Sequence, residues 1–270
     1  MARVFSRGLI CAGALFAFSI AAALPAHAQC SASSYPVALP HIAFGGQWAT
    51  TLLIRNTGSS SASVTVCYFS DEGTALSVPF NGTGATSSTV SVPANGQAEI
   101  TPDSTGTNTV AGWAAFAGSL PAGVTAQAVF SWQPSSTGFC ILSVPSGLSF
   151  STAPSQAVAP IVNSPSGKLS MPFDNTGSQV SGYAFANTTN QSVTFTLTFY
   201  SESGSELGTY TPAQLPAYGH TEFLLNTSGV PSAVADQKGV MVISSASVYP
   251  LGFRFAISGS TVESFSTWLP

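Results

Sequence analysis

The sequence predicts an all-β chain of two consecutive antiparallel β-sandwiches, and three observations predict it. Apolar and polar residues alternate over runs of about four to eight positions between clusters of Gly, Asn and Pro, the pattern of half-buried strands. The stretch 48–76 then recurs: Asn56 aligns with Asn187, 187 − 56 = 131, and the same offset carries Ser61 to Ser192, Thr65 to Thr196, Gly73 to Gly204 and Leu76 to Leu207 without a gap. The ends of the repeated unit match as well. Residues 126–130 pair with 251–255 and 140–145 with 265–270, and 251 − 126 and 270 − 145 both give 125.

Residues 1–28 read as a signal peptide. Arg3 and Arg7 form a basic start, residues 8–24 are almost uninterruptedly apolar, and Ala26-His27-Ala28 supplies a small-x-small cleavage pattern. The mature chain is expected to begin at Gln29 and to be secreted, periplasmic or held at the cell surface, with no later run that spans a membrane. Residues 29–38 are a polar lead, and the first repeat occupies 39–145. Within it Leu52 and Ile54 share one face, and Val64, Val66 and Tyr68 share another, while Thr65, Cys67 and Phe69 point the opposite way. The turn 70–73 is tight and ends on a glycine able to take positive φ. Two further strands flank Pro93-Ala94-Asn95-Gly96, whose counterpart is Pro216-Ala217-Tyr218-Gly219; 216 − 93 = 123, so a loop is eight residues shorter in the second copy (131 − 123). Residues 146–170, rich in Pro, Ser and Ala, read as a linker, with 156–162 either paired onto an edge strand or merely extended. The second repeat, 171–270, keeps the same phase: Tyr183, Phe185, Phe195, Leu197 and Phe199 replace the apolar positions of the first. About seven short strands in roughly 100 residues describes an immunoglobulin-like sandwich, each unit with its own core.

Charged residues make up 6% of the chain, against about 25% in a typical domain, and the net charge is −4. Past residue 28 the basic side chains are Arg55, Lys168, Lys238 and Arg254, too scattered to track phosphates, so a nucleic-acid partner is excluded. Cys30, Cys67 and Cys140 remain after the leader, giving one disulfide and one thiol in an oxidising compartment. All three pairings are open, and Cys140 with Cys67 or Cys30 is the expected form, because Cys140 lies in the closing strand.

The set Trp48, Leu52, Ile54, Asn56, Val64, Val66, Tyr68, Phe69, Gly73 and Leu76 resembles an immunoglobulin-like module found in many bacterial secreted and surface proteins, largely of uncharacterised function. The likeness covers almost all of the mature chain in two copies, although the second has Val180 or Ser181 where the first has its tryptophan. It implies fold and export, with surface or matrix roles by association.

No catalytic, cofactor or metal residues emerge. A serine nucleophile needs a base and usually a G-x-S-x-G turn, which is absent. His41 and His220 do not align with each other, sit in no two-ligand spacing, and read as turn or surface histidines. Glu99 aligns with Glu222 and Asp71 with Glu202; recurrence in both copies favours outward positions or edge charges over the paired carboxylates of a glycosidase. Asp71-Glu72 and Asp103 have no calcium-loop spacing around them. Exposed aromatics are the remaining way to meet a ligand, with Trp132 and Trp48 the candidates to face a sugar; the competing and favoured reading packs the tryptophans into the two cores, with Trp132 the one expected to stay partly exposed at a strand end. The expectation is an exported, non-enzymatic structural or interaction protein that meets a protein or glycan at the cell surface. The alternatives are a carbohydrate-binding adhesin and a hydrolase with an unrecognised site.

Overall fold

The computed structural model describes residues 30–104, 106–133, 149–150, 153–163, 168–245, 247–259 and 261–268. The expected signal peptide and start at Gln29, Cys140 and the expected closing strand 140–145 lie outside them. The described residues are all-β, with no α-helix, and none of their helical segments is long and apolar enough to cross a membrane.

The first part of the chain forms β1 (Val37–Phe44), β2 (Trp48–Asn56), β3 (Ala62–Phe69), β4 (Val78–Phe80), β5 (Thr83–Ala85), β6 (Ser87–Val92), β7 (Gly96–Ile100), β8 (Val110–Phe116), β9 (Val124–Trp132), β10 (Ser149–Phe150) and β11 (Ser155–Asn163). Alternation sets which side chains go in: along β2 the buried positions are Trp48, Thr50, Leu52, Ile54 and Asn56. Eight strands bond in the order β6-β3-β8-β1-β11-β9-β2-β7. β6 and β7 stand at opposite ends of that order, yet only Pro93, Ala94 and Asn95 separate them in the chain, so the sheet is folded over on itself around one core. β1 turns the corner. Its start pairs with β11, the rest runs against β8, and the register slips between Leu39 and Ile42, a bulge that holds Pro40 and His41.

Residues 155–163, expected to link the two repeats, instead supply an inner strand of this sheet. β11 pairs with β9 from Ser155↔Trp132 to Ile161↔Ala126 and with β1 at its far end. Its Pro and Ala content disguised it, because prolines normally mark edges. Pro160 faces outward while Ala157, Ala159 and Ile161 are buried.

The later chain forms β12 (Leu169–Asp174), β13 (Gln179–Asn187), β14 (Leu197–Ser201), β15 (Glu206–Tyr210), β16 (His220–Leu224), β17 (Lys238–Ile243), β18 (Val248–Ser258) and β19 (Thr261–Trp268). They make two sheets, β10-β19-β18-β13-β16 and β12-β17-β14-β15. Between these lies a second core that includes Met171, Tyr183, Phe185, Phe199 and Met241. The two interiors are not wholly private. Leu251, Phe253 and Phe265, from β18 and β19, belong to the core of the first half. Val248 to Phe253 are all buried because β18 has a sandwich on either side, which a strand of an isolated sandwich lacks.

A third cluster, with Tyr35, Phe69, Trp113, Ala186 and Tyr249 in it, seals the seam between the halves. Both faces of β3 are therefore buried: Val64, Val66 and Tyr68 in the core, Cys67 and Phe69 in the seam. Backbone bonds run across the seam, Tyr35 N–H to Thr188 O at 2.9 Å and Asn190 N–H to Ser33 O at 3.1 Å.

The disulfide joins Cys30 to Cys67, with Cα atoms 5.7 Å apart, so neither is available to Cys140 and the expected pairing is corrected. Position in the closing strand was the wrong guide, because the lead segment crosses the outer face of β3 and lays Cys30 beside Cys67. The bond closes a separation of 37 residues and fastens the segment that carries Tyr35 into the seam. Replacing both cysteines with serine is expected to cost about 3 kcal/mol in a urea titration. A double variant as stable as the parent would show that the lead is held without the crosslink.

Candidate functional site

The polar part of the seam is built from three elements. The bulge in β1 holds His41, whose ring stacks on Phe130 (centroids 6.1 Å apart, planes at 26°) and meets Phe253 edge-on at 5.6 Å. The turn Pro216-Ala217-Tyr218-Gly219 delivers His220 as the first residue of β16, and Glu222 follows two residues later on the same face. The turn after β3 brings in Asp71.

The second turn is clamped by the first half. Trp113 Nε1 donates to Tyr218 O at 2.7 Å, and the Tyr218 ring stacks on Phe69 at 5.4 Å. Tyr218 takes φ +56°, the left-handed region that Asn95 (φ +51°) occupies in the equivalent turn of the first half. Asn tolerates that region, whereas a tyrosine is held there only when its ring is docked.

These contacts assemble a polar chain. Asp71 Oδ1 lies 2.7 Å from His220 Nδ1, and Asp71 O accepts the His220 backbone N–H at 3.0 Å. His220 Nε2 lies 3.3 Å from His41 Nδ1, with the two rings inclined at 26°. A carboxylate only accepts, so His220 donates Nδ1–H to Asp71 and keeps a lone pair on Nε2, toward which His41 turns its Nδ1. Glu222 Oε2 is 3.2 Å from His220 Nδ1, but it is buried and makes no hydrogen bond. Burial raises the Glu222 carboxyl above the usual carboxylate range; His220 opposes that shift and Asp71 adds to it. The His220 side chain is 0% exposed, that of Asp71 49% and that of Glu222 34%. Donor atoms of His41, His220 and Glu222 all lie within 4.8 Å of one another, close enough for one cation to bridge them.

Burial, followed by the nearby His220, lowers the pKa of His41 from 6.5 to about 3. A histidine whose folded pKa is depressed stays neutral in the fold but protonates in the unfolded chain below pH 6.5. Its contribution to stability is therefore complete above that pH and is lost as pH falls toward 3. Urea titrations in the presence of a chelator are expected to show stability falling over this window, by at most about 1.4 kcal/mol per pH unit from this group. His41→Phe, which keeps the stack, should flatten the slope, and an unchanged slope would assign it elsewhere.

The structure departs from the sequence reading at the two histidines, at Glu222 and at the exposed setting expected for Trp132. His41 and His220 are not surface residues but face each other across the seam. Trp132 and Trp48 are 3% and 6% exposed, so neither faces a ligand. They form a cross-strand pair with centroids 5.4 Å apart, and Phe265 from β19 packs on Trp48 at 5.2 Å. The strand end at Trp132 is covered because β11 pairs along β9 as far as Trp132. The aligned acids diverge: Glu99 is exposed while Glu222 turns into the seam, and Glu202 pairs with Lys238 at 3.1 Å while Asp71 meets His220. A signal for the site lay in the places where the aligned stretches differ. At the offset of 123, Tyr218 replaces Asn95 and His220 replaces Gln97.

No protein-family model, no curated protein and no solved structure matches this chain.

Proposed function

We propose that the chain is an exported, non-enzymatic structural or interaction protein of the cell envelope or extracellular space, made of two copies of one immunoglobulin-like sandwich locked side by side. The observation that carries this reading is the seam. It spends the aromatic side chains Tyr35, Phe69, Trp113 and Tyr249 on joining the halves, and so builds a rigid two-part body rather than a cleft.

Matched contacts support the two copies. Asn56 Nδ2 donates to Ser60 O and Val92 O and its Oδ1 accepts from Gly58 N–H; Asn187 Nδ2 donates to Gln191 O and Pro216 O and its Oδ1 accepts from Thr189 N–H. A Cβ on Gly112 would strike Phe69 O at 2.3 Å, and one on Gly239 would strike Tyr200 O at 1.9 Å, again 131 apart (200 − 69). The apolar leader, the sparse charge and the Cys30–Cys67 bond all suit export. Edge strands such as β7 and β15 are the natural places for a partner to add a strand.

Cell fractionation followed by N-terminal sequencing tests the reading. A mature chain starting at Gln29 outside the cytoplasm supports it, and a full-length cytoplasmic chain overturns it. One observation favours the hydrolase alternative, namely the Asp71–His220 pair, which has the orientation of a base and its positioning carboxylate. The atom facing His220 Nε2 is an imidazole nitrogen rather than a nucleophilic hydroxyl. Turnover in an ester and glycoside screen that disappears in Asp71→Asn would move the assignment to catalysis.

A further inference from the structure

From the geometry of the seam we infer that His41, His220 and Glu222 bind one divalent transition-metal cation of the zinc type, which bridges the two halves of the chain. The inference does not depend on export or on the partner. Two imidazole nitrogens and a carboxylate form a borderline N/O donor set. It suits zinc and its neighbours, lacks the thiolates that select copper(I), and offers too few oxygens for calcium or magnesium.

The separations fit. The 3.3 Å between His41 Nδ1 and His220 Nε2 is long for a hydrogen bond, but two metal–nitrogen bonds of about 2.0–2.1 Å across that gap enclose an angle of about 107°, close to tetrahedral. Glu222 supplies the third ligand by a side-chain rotation, and its buried Oε2 has no hydrogen bond to give up. Asp71 is the outer partner. By accepting Nδ1–H of His220 at 2.7 Å it fixes the tautomer that leaves Nε2 free to coordinate, the arrangement usual for metal-bound histidines. Without a cation the cluster is costly, because the buried Glu222 Oε2 has no hydrogen-bond partner and a second acid, Asp71, meets the same His220 nitrogen. A bound cation reverses that by supplying the opposite charge. His41 stands on β1 and the other two ligands on β16, so the cation ties the first half to the second.

The test uses the untagged full chain, stripped with a chelator and titrated with zinc chloride by calorimetry, with calcium and magnesium as controls. One equivalent of zinc is expected, accompanied by a rise of several degrees in Tm, and cobalt(II) should give the intense visible bands of a tetrahedral site. Glu222→Gln should raise Tm in chelator, since an amide replaces a carboxylate whose buried Oε2 has no hydrogen bond, yet abolish the further rise on adding zinc. Asp71→Asn should still bind one equivalent, at an affinity about 10- to 100-fold lower. No saturable zinc uptake by the parent chain overturns the inference, and so does uptake unchanged in both His41→Phe and Glu222→Gln. Should His41→Phe fail to fold, Glu222→Gln, of the same shape as the parent and partly exposed, decides the matter alone.

Discussion

Gly73→Ala is expected to cost about 3–5 kcal/mol and to uncouple the halves, while Gly204→Ala, 131 residues further on, costs about 1–2 kcal/mol. Both glycines end a hairpin turn in the left-handed region, at φ +78° and φ +81°, so each alanine carries the same backbone penalty. Their surroundings differ. A Cβ at Gly204 meets nothing within 4 Å, whereas one at Gly73 would lie 1.9 Å from Ala217 O and 3.0 Å from Tyr218 C. Those atoms are backbone and cannot rotate away, so either the turn after β3 or the Pro216-to-Gly219 turn must retreat. Retreat breaks the bond from His220 N–H to Asp71 O and pulls Tyr218 from its place against Phe69 and Trp113. Scanning calorimetry should then resolve two transitions in Gly73→Ala where the parent and Gly204→Ala show one. Equal losses in the two variants would mean that the turns do not bear on each other.

This contrast marks what a sequence can and cannot show. Strands were legible because alternation at period two is local: Leu52 and Ile54, or Leu197 and Phe199, declare their face within a few residues. The seam is not local, and it hid behind residues with ordinary explanations. Cys67 and Phe69 on the outer face of β3 align with Thr198 and Tyr200 of β14 at the offset of 131. The apolar pair thus marks a buried outer face and the more polar pair a half-open one. Comparison of the two aligned stretches with each other, rather than with an average strand, carries that information. His41 escaped even this comparison, because a bulge in β1 aims it and nothing in Leu-Pro-His-Ile announces a register slip. Residues 156–162 are open to strand pairing from sequence, but the inner place of β11 between β1 and β9 escaped because a strand containing proline reads as an edge until its neighbours are known.

Asn187→Asp should be the most damaging change of equal shape, at about 5 kcal/mol near neutral pH. Asn187 is fully buried, and its Nδ2 donates to two carbonyls, Gln191 O and Pro216 O, both at 2.7 Å. Its Oδ1 accepts from the Thr189 hydroxyl at 2.8 Å and the Thr189 N–H at 3.1 Å. An aspartate keeps the second pair of contacts and turns the first into repulsion, a carboxylate oxygen against two carbonyl oxygens with no water to separate them. Burial and those carbonyls raise the new carboxyl above its unfolded value of about 3.9. The folded chain then holds the proton more tightly than the unfolded one. The deficit is therefore smallest below that value, where one O–H can still donate to a carbonyl, and it grows as pH rises through the folded pKa. Asn56→Asp has the same sign and a smaller size, because Asn56 Nδ2 makes one bond at 2.8 Å and a longer one at 3.2 Å. Urea titrations of both variants at pH 4 and pH 7 separate the contributions, since a deficit independent of pH would point to lost packing rather than to charge. The larger loss falls on Asn187 for a further reason. Pro216, whose carbonyl it holds, opens the turn that carries Tyr218 and His220 to the seam, so repulsion there acts on the second core and on the join between the halves together.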